Sequence, residues 1–268
     1  MNTTFKSIIG FVVITLTLSC SSNSNNENVL KVGVQTGPEY ILAETAKKVA
    51  KEKYDLDVEL VTFSDYVMPN EALQQKDIDA NVFQNRPYLD VQAKNRGYEF
   101  EVLGNTFVYP MAGYSKKITS IEQLKDEDTI VIPNDPTNLG RALLLLQEVG
   151  LIKLTDSSNL LPTLQDITEN KKNLRILELE APQLPRTLDD DQVTVAVINN
   201  NFAASHQLTA KRDGIFIESE KSPYVNIIVS RKDNKDDVKL ANFVKSYQSD
   251  EVAQAAEEAF KGGAIKGW

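Results

Sequence analysis

Between Val29 and Phe63 a strand, an amphipathic helix and a second strand follow one another without a break, and this succession constrains the fold more than anything else in the chain. In "VLKVGVQTG", Leu30, Val32 and Val34 recur at period two and run into a glycine turn. "PEYILAETAKKVAKEKY" then sets Leu42, Ala46, Val49 and Ala50 on one helical face, and "DVELVTF" returns to strand. A βαβ unit of this kind requires parallel pairing with a right-handed crossover. A short helix around "NEALQQKD" leads to the strand "IDANVF".

A second block starts near Tyr109. "SIEQL" has capping-box spacing, with Ser120 and Gln123 three apart. "TIVIPND" reads as a strand, "NLGRALLLLQEVG" as a helix closed by Gly150, and "LRILELE" as a further strand. "QVTVAVINN" is almost wholly apolar up to Asn199, as expected of a strand buried on both faces. The strands "GIFIES" and "YVNIIVS" follow, then two helices, one with Leu240, Val244 and Tyr247 on a face and one ending at Gly262-Gly263. No linker separates the two α/β blocks, so the chain is expected to cross between two lobes through its strands. That makes a hinge with a cleft.

The first residues belong to another task. Lys6 precedes the apolar run Ile8 to Leu18, which is too short to span a bilayer (about 20 residues in a helix) and has the length of a signal-peptide core. The sole cysteine, Cys20, follows directly, as in bacterial lipoproteins whose cysteine is acylated, although Thr17 replaces the usual leucine three residues earlier. "SSNSNNEN" reads as a flexible tether. Residues 1–19 are therefore expected to be a signal peptide and 20–28 a lipid-anchored tether, placing the protein in the cell envelope.

Several functions are disfavoured. A net charge of −9 without a Lys/Arg run argues against nucleic acid. One histidine, His206, and one cysteine put a Cys/His metal site nearly out of reach. There is no G-x-S-x-G elbow and no Gly-rich phosphate loop, and the acidic triplets at 126–128 and 189–191 lie in polar turns. We expect no enzyme, no metal and no cofactor.

Binding is better supported. In open α/β sheets ligands sit beyond the carboxyl ends of the strands. Here those ends carry Tyr66, the run "FQNRPY" (Phe83 to Tyr88), "NDPTNLGR" (Asn134 to Arg141) and Asn199-Asn200-Asn201. Arg141, read as lying in the first turn of its helix, suits either a surface ion pair or a two-bond grip on a carboxylate. Asparagine suits a zwitterion, since its carbonyl accepts from an ammonium and its NH₂ donates to a carboxylate. Tyr66, Phe83 and Tyr88 suit the walls around an apolar side chain, though a residue like Phe83, taken alone, is more often core than pocket. The residues thus point to a free amino acid with an apolar or thioether side chain.

Long stretches, among them "DIDANVFQNRPYLD", "IPNDPTNLGRALLLLQEVGLIKL", "LELEAPQLPR", "SPYVNIIV" and the terminal "GGAIKGW", resemble the NlpA family of methionine-binding lipoproteins. The likeness runs from Val29 to Trp268. It implies an α/β fold of the periplasmic-binding-protein type, with two lobes of mostly parallel sheet flanked by helices. One lobe would comprise 29–108 and 202–268, the other 109–201. It also implies methionine as ligand and, as partners, the permease and ATPase of an ABC importer, with the membrane reached through acyl chains on Cys20. By the same likeness Tyr66, Phe83 and Tyr88 would wall the side chain, while Asn138, Arg141, Asn199 and Asn226 would meet the head group, Arg141 on the carboxylate. The family motif F-Q-H-x-P-Y-L has Asn85 here in place of histidine. That leaves L-methionine, D-methionine and related thioethers open, and it predicts no pocket group titrating near neutrality, hence nearly flat affinity from about pH 6 to 8. Other small amino acids, a short peptide, a tethered hydrolase or an adhesin are the alternative readings.

Overall fold

The computed structural model describes residues 29–268 apart from Glu220. The signal peptide, Cys20 and the tether lie outside the described residues. Among those described, no helix is long and apolar enough to cross a membrane.

The first lobe opens with β1 (Val29–Gln35), α1 (Pro38–Tyr54), β2 (Asp57–Phe63), α2 (Met68–Gln74), β3 (Ala80–Asn85), α3 (Arg86–Arg96) and β4 (Phe100–Val108). The chain then enters the second lobe: β5 (Ala112–Tyr114), β6 (Thr129–Pro133), α4 (Pro136–Glu148), the small ribbon β7 (Lys153–Leu154) and β8 (Ile167–Glu169), β9 (Arg175–Leu179), β10 (Val195–Ile198), α5 (Asn200–Ser205), α6 (Ala210–Asp213) and β11 (Gly214–Ile217). It returns with β12 (Val225–Arg231), α7 (Val238–Tyr247), α8 (Asp250–Phe260) and β13 (Ile265–Lys266). The sheets are ordered β13-β4-β12-β3-β1-β2 and β11-β5-β10-β6-β9.

Both sheets are mixed rather than mostly parallel in their pairings, and the crossings explain why. β1 pairs in parallel with β2 and β3, but β12 lies antiparallel between β3 and β4. In the second sheet β6 pairs in parallel with β9 and β10, but β5 lies antiparallel between β10 and β11. Apart from the short edge strand β13, antiparallel to β4, the other strands of the two sheets run toward the cleft. A strand arriving straight from the other lobe starts at the cleft and has to run away from it. β5 and β12 are those two strands.

The expected lobe boundary at 201/202 needs correction. β11 pairs with β5, and Phe202, Ala203 and Ala210 pack with Val131, Ala196 and Ile198, so residues 202–217 go with the second sheet. The return crossing lies between Ile217 and Val225, inside what reads in sequence as two successive strands of one block. The "SIEQL" segment also differs from expectation. It forms a single 3₁₀ turn, Ile121–Gln123, without a capping bond from Ser120, and Gln123 Oε1 accepts from Thr119 N at 2.7 Å instead.

The packing follows the alternation of the strands. On β10, Val195 and Val197 join the cluster of Ile130, Ile132, Leu143 and Leu146, while Ala196 and Ile198 join that of Val131, Leu184 and Phe202. Both faces of this strand are covered, as its continuous apolar run requires. In the first lobe Leu42, Ala46 and Ala50 of α1 pack with Leu240, Phe243, Val252 and Phe260 over Leu30, Val32 and Val34.

Candidate ligand-binding cleft

The carboxyl ends of β1, β2, β3, β6 and β10 converge on one cleft holding about 380 Å³ of empty space, mouth included. All eight residues expected in the site, Tyr66, Phe83, Asn85, Tyr88, Asn138, Arg141, Asn199 and Asn226, line it.

On the first lobe a backbone irregularity aims the key ring. Along β12, Ile227 faces Gln84 and Ile228 faces Val82, which makes Phe83 the extra residue of a β-bulge. Bulges re-aim side chains, and here Phe83 turns into the cleft, with its ring 6.0 Å from Tyr66 and 6.1 Å from Tyr88. The bulge also brings Asn81 and Gln84 to the same side, where Gln84 Nε2 donates to Asn81 Oδ1 at 3.0 Å and to Asn70 Oδ1 at 2.8 Å. The Phe83 carbonyl accepts from Asn226 Nδ2 at 3.0 Å. Phe83 is therefore pocket wall, fixed by the amides behind and beside it.

Asn85 is the N-cap of α3: its Oδ1 accepts from Tyr88 N at 3.0 Å. The cap orients Tyr88, whose Oη donates to the Tyr66 carbonyl at 2.9 Å. Tyr66 Oη in turn donates across the cleft to Asn201 Oδ1 at 2.6 Å, and its ring lies 4.9 Å from that of Phe202.

The second lobe supplies amides and one charge pair. Asp135 caps α4 and also holds Asn138, whose Nδ2 donates to both carboxylate oxygens at 3.0 and 2.9 Å. Asn138 Oδ1 accepts from Asn199 Nδ2 at 2.8 Å, so Asn138 positions Asn199 and leaves the Asn199 Oδ1 buried without a partner.

Arg141 differs from expectation in two respects. α4 begins at Pro136, so Arg141 stands in the second helical turn and its role does not come from the helix terminus. Its guanidinium is also already paired. Nε and Nη2 donate to Glu218 Oε1 and Oε2 at 2.9 and 2.5 Å, and Nη2 donates to the Tyr109 carbonyl at 2.9 Å. A two-bond grip on a ligand carboxylate through Nε and Nη2 is thus taken, and only Nη1 is left to donate. The group lies over the Tyr224 ring at 4.5 Å. Burial works against its charge, but the Glu218 carboxylate holds the pKa above its ordinary value. Tyr109 and Glu218 each lie in one of the two crossings, and Glu218 Oε2 also accepts from Met111 N at 3.1 Å. Arg141 and Glu218 therefore tie the hinge segments to the cleft.

Five further residues line the cleft: Gln84, Asn200 and Asn201, which the sequence places at the strand ends without assigning them to the site, and Glu39 and Tyr109, which sequence reasoning missed. Glu39 is the consequential omission. It is the second residue of α1, after Gly37 at φ +91° and Pro38, and is only 5% exposed with Oε2 unpartnered. A Cβ on Gly37 would stand 2.5 Å from Ser205 Oγ, so glycine permits this close approach of α1 to α5. Burial pushes the Glu39 carboxyl up to about 8. The expectation of a pocket without a group titrating near neutrality is thus overturned. The signal was available, since "TGPE" ends β1 as the other site segments end their strands.

A cleft between two α/β lobes joined by two crossing segments defines the class of periplasmic substrate-binding proteins. Comparison with known proteins narrows the class. The family model for NlpA lipoprotein matches residues 30–268. The chain is 58% identical over 265 residues to the D-methionine-binding lipoprotein MetQ of Escherichia coli K12, covering 99% of this chain and 98% of the relative. A substrate-binding protein of an ABC transporter from Coxiella burnetii superposes with TM-score 0.86 at 46% identity, covering 89% of this chain and all of the other. A nutrient-binding protein from Burkholderia cenocepacia bound to methionine gives 0.85 at 45%, with the same coverage. The chain belongs to the NlpA lipoprotein family.

Proposed function

We propose that this protein is the methionine receptor of an ABC importer, a non-catalytic lipoprotein that captures the amino acid between its lobes and hands it to the permease. The observation carrying this reading is the division of the cleft between an aromatic triad, Tyr66, Phe83 and Tyr88, and a polar set of Asn138, Arg141, Asn199 and Asn226. A thioether fits the first, since sulfur at a ring edge gains about 0.3–1.5 kcal/mol per contact. The head group fits the second: Arg141 Nη1 donates to the carboxylate, with Asn138 holding Asn199 in place. The ATPase acts through the permease, and acyl chains on Cys20 keep the receptor at the membrane.

The test is native mass spectrometry of the purified protein, followed by calorimetry with L- and D-methionine after partial unfolding and dialysis. A bound mass of methionine and saturable binding are expected. If no amino acid co-purifies and neither isomer raises the melting temperature, the importer reading falls.

A further inference from the structure

We propose that Glu39 accepts the ammonium group of the ligand and gives up its own proton to solvent as the ligand enters. This rests on the reading of the cleft as an amino-acid site and goes beyond it, adding a recognition residue and a proton to the binding equilibrium.

The geometry comes first. Among the described residues lining the cleft, three buried side-chain oxygens have no hydrogen-bond partner: Glu39 Oε2, Asn199 Oδ1 and the Tyr109 hydroxyl, of which the first two are carboxyl and amide acceptors. A buried acceptor left unpaired costs free energy, so its persistence at a cleft calls for a donor that arrives with the ligand. The free donors of Arg141 Nη1 suit the carboxylate, and the orphaned acceptors suit the ammonium. These are the two ends of one zwitterion.

The charge balance gives the proton. Arg141 is the cleft's cation, and Glu218 already neutralises it. An ionised Glu39 would therefore be buried with no counter-charge, and burial lifts its carboxyl from the ordinary 4.5 to about 8. In the empty cleft at pH 7 it carries its proton. A ligand ammonium supplies the missing cation, so the O–H bond of Glu39 breaks, the proton passes to solvent and the carboxylate pairs with the ammonium. No other bond changes.

The buried ionisable groups facing Glu39 are tyrosines, and the charged side chains of the packed helices lie at the surface. From the segment after β2, from the first crossing and from α7 come the hydroxyls of Tyr66, Tyr109 and Tyr247, all shifted upward by burial and protonated in this range. On α7, Lys245 is exposed and Lys239 pairs with Asp237; on α8 the carboxylates of Asp250, Glu251, Glu257 and Glu258 are exposed. α5 ends at His206, whose Nδ1 lies 3.0 Å from the Phe202 carbonyl.

The sign follows from linkage. In the empty protein Glu39 holds its proton more tightly than in the unfolded chain, so its contribution to stability is present below about pH 4.5 and is lost as pH rises toward 8. Methionine binding runs the other way: it favours the ionised form and should tighten by roughly 10- to 50-fold from pH 6 to pH 8.

The experiment is calorimetry of the full chain with methionine and with 4-(methylthio)butanoate, which lacks the amine, at pH 6 and 8 in buffers of different ionisation enthalpy. For methionine near pH 7 the expected result is release of close to one proton per ligand and the tightening given above. The amine-free analogue should release none and should not tighten. Glu39→Gln should abolish the proton release and the pH dependence, and should weaken methionine by roughly 30-fold or more at pH 8 while sparing the analogue. If wild-type protein binds methionine with flat affinity and no proton release, Glu39 is not the acceptor, and this holds even if the variant fails to fold. If wild-type protein binds no methionine at either pH, the amino-acid reading itself is overturned, and this inference with it.

Discussion

On the first lobe's wall the three rings complete one another. Tyr88 donates to the Tyr66 carbonyl, Phe83 is fixed by its bulge, and the ring centroids lie 6.0 to 6.1 Å apart. On the second lobe's wall the groups are partly spent elsewhere. Asn138 holds Asn199, Arg141 holds Glu218 and Tyr109, and Asn199 Oδ1 is orphaned. The rings of the apolar wall satisfy one another, whereas the polar wall keeps an unpaired acceptor and is tied to the hinge. The aromatic shape is thus set by one lobe, while the polar groups come from both, with Glu39 and Asn226 on the first and Asn138, Arg141 and Asn199 on the second.

Removing Arg141 should break this contrast most severely. Arg141→Ala leaves Glu218 as a buried unpaired carboxylate, and such truncations destabilise by about 3–5 kcal/mol. Urea denaturation should show that loss, and calorimetry should show methionine binding lost with it. Adding Glu218→Gln should recover part of the stability and none of the binding. Recovery of both would mean that Arg141 serves the hinge alone.

Phe83→Ala attacks the other wall. A nearly buried ring removed from a bulge held by Asn226 should cost about 3 kcal/mol of stability. Methionine affinity should fall with it, while proton release on binding should persist, because Glu39 and the polar wall are untouched. Loss of proton release in this variant would show that the walls are not separable.

Tyr66→Phe keeps the ring and removes the 2.6 Å bond to Asn201, which spans the cleft. An expected loss of about 1 kcal/mol in methionine affinity would place this bond among those formed on closure. Small-angle scattering should show the empty variant more open than wild type.

The two walls also differ in how legible they were. Tyr66, Phe83 and Tyr88 announce themselves, because aromatic residues crowd the end of a strand and their chemistry is visible in one dimension. The polar wall depends on pairings far apart in the chain. Glu218 lies 77 residues beyond Arg141, in a stretch that reads as the end of an ordinary strand. Local spacing could place Arg141 on a helix but could not say that its best donors were taken. Lobe membership failed for the same reason. Gly214–Ile217 and Val225–Arg231 are close in sequence but belong to different sheets, and only their partners, β5 on one side and β3 and β4 on the other, decide that.

Asn85 stands where the walls meet and offers the smallest and sharpest test. Its Oδ1 caps α3 and so orients Tyr88, while the residue also lines the cleft. Asn85→His exchanges a good capping residue for a poorer one, which should cost about 1 kcal/mol or less of folding stability. At pH 8 the imidazole is neutral, and methionine affinity should stay within about threefold of wild type. Below about pH 6.5 the imidazole gains a proton. A cation at the aromatic wall then competes with the ligand ammonium, so affinity should fall more steeply than in wild type between pH 7 and 6. Calorimetric protonation linkage resolves the two contributions: binding at pH 6 should release more than one proton from the variant and close to one from wild type. If the variant follows the wild-type profile, residue 85 acts only as a cap for α3, and the titrating chemistry of the cleft is confined to Glu39.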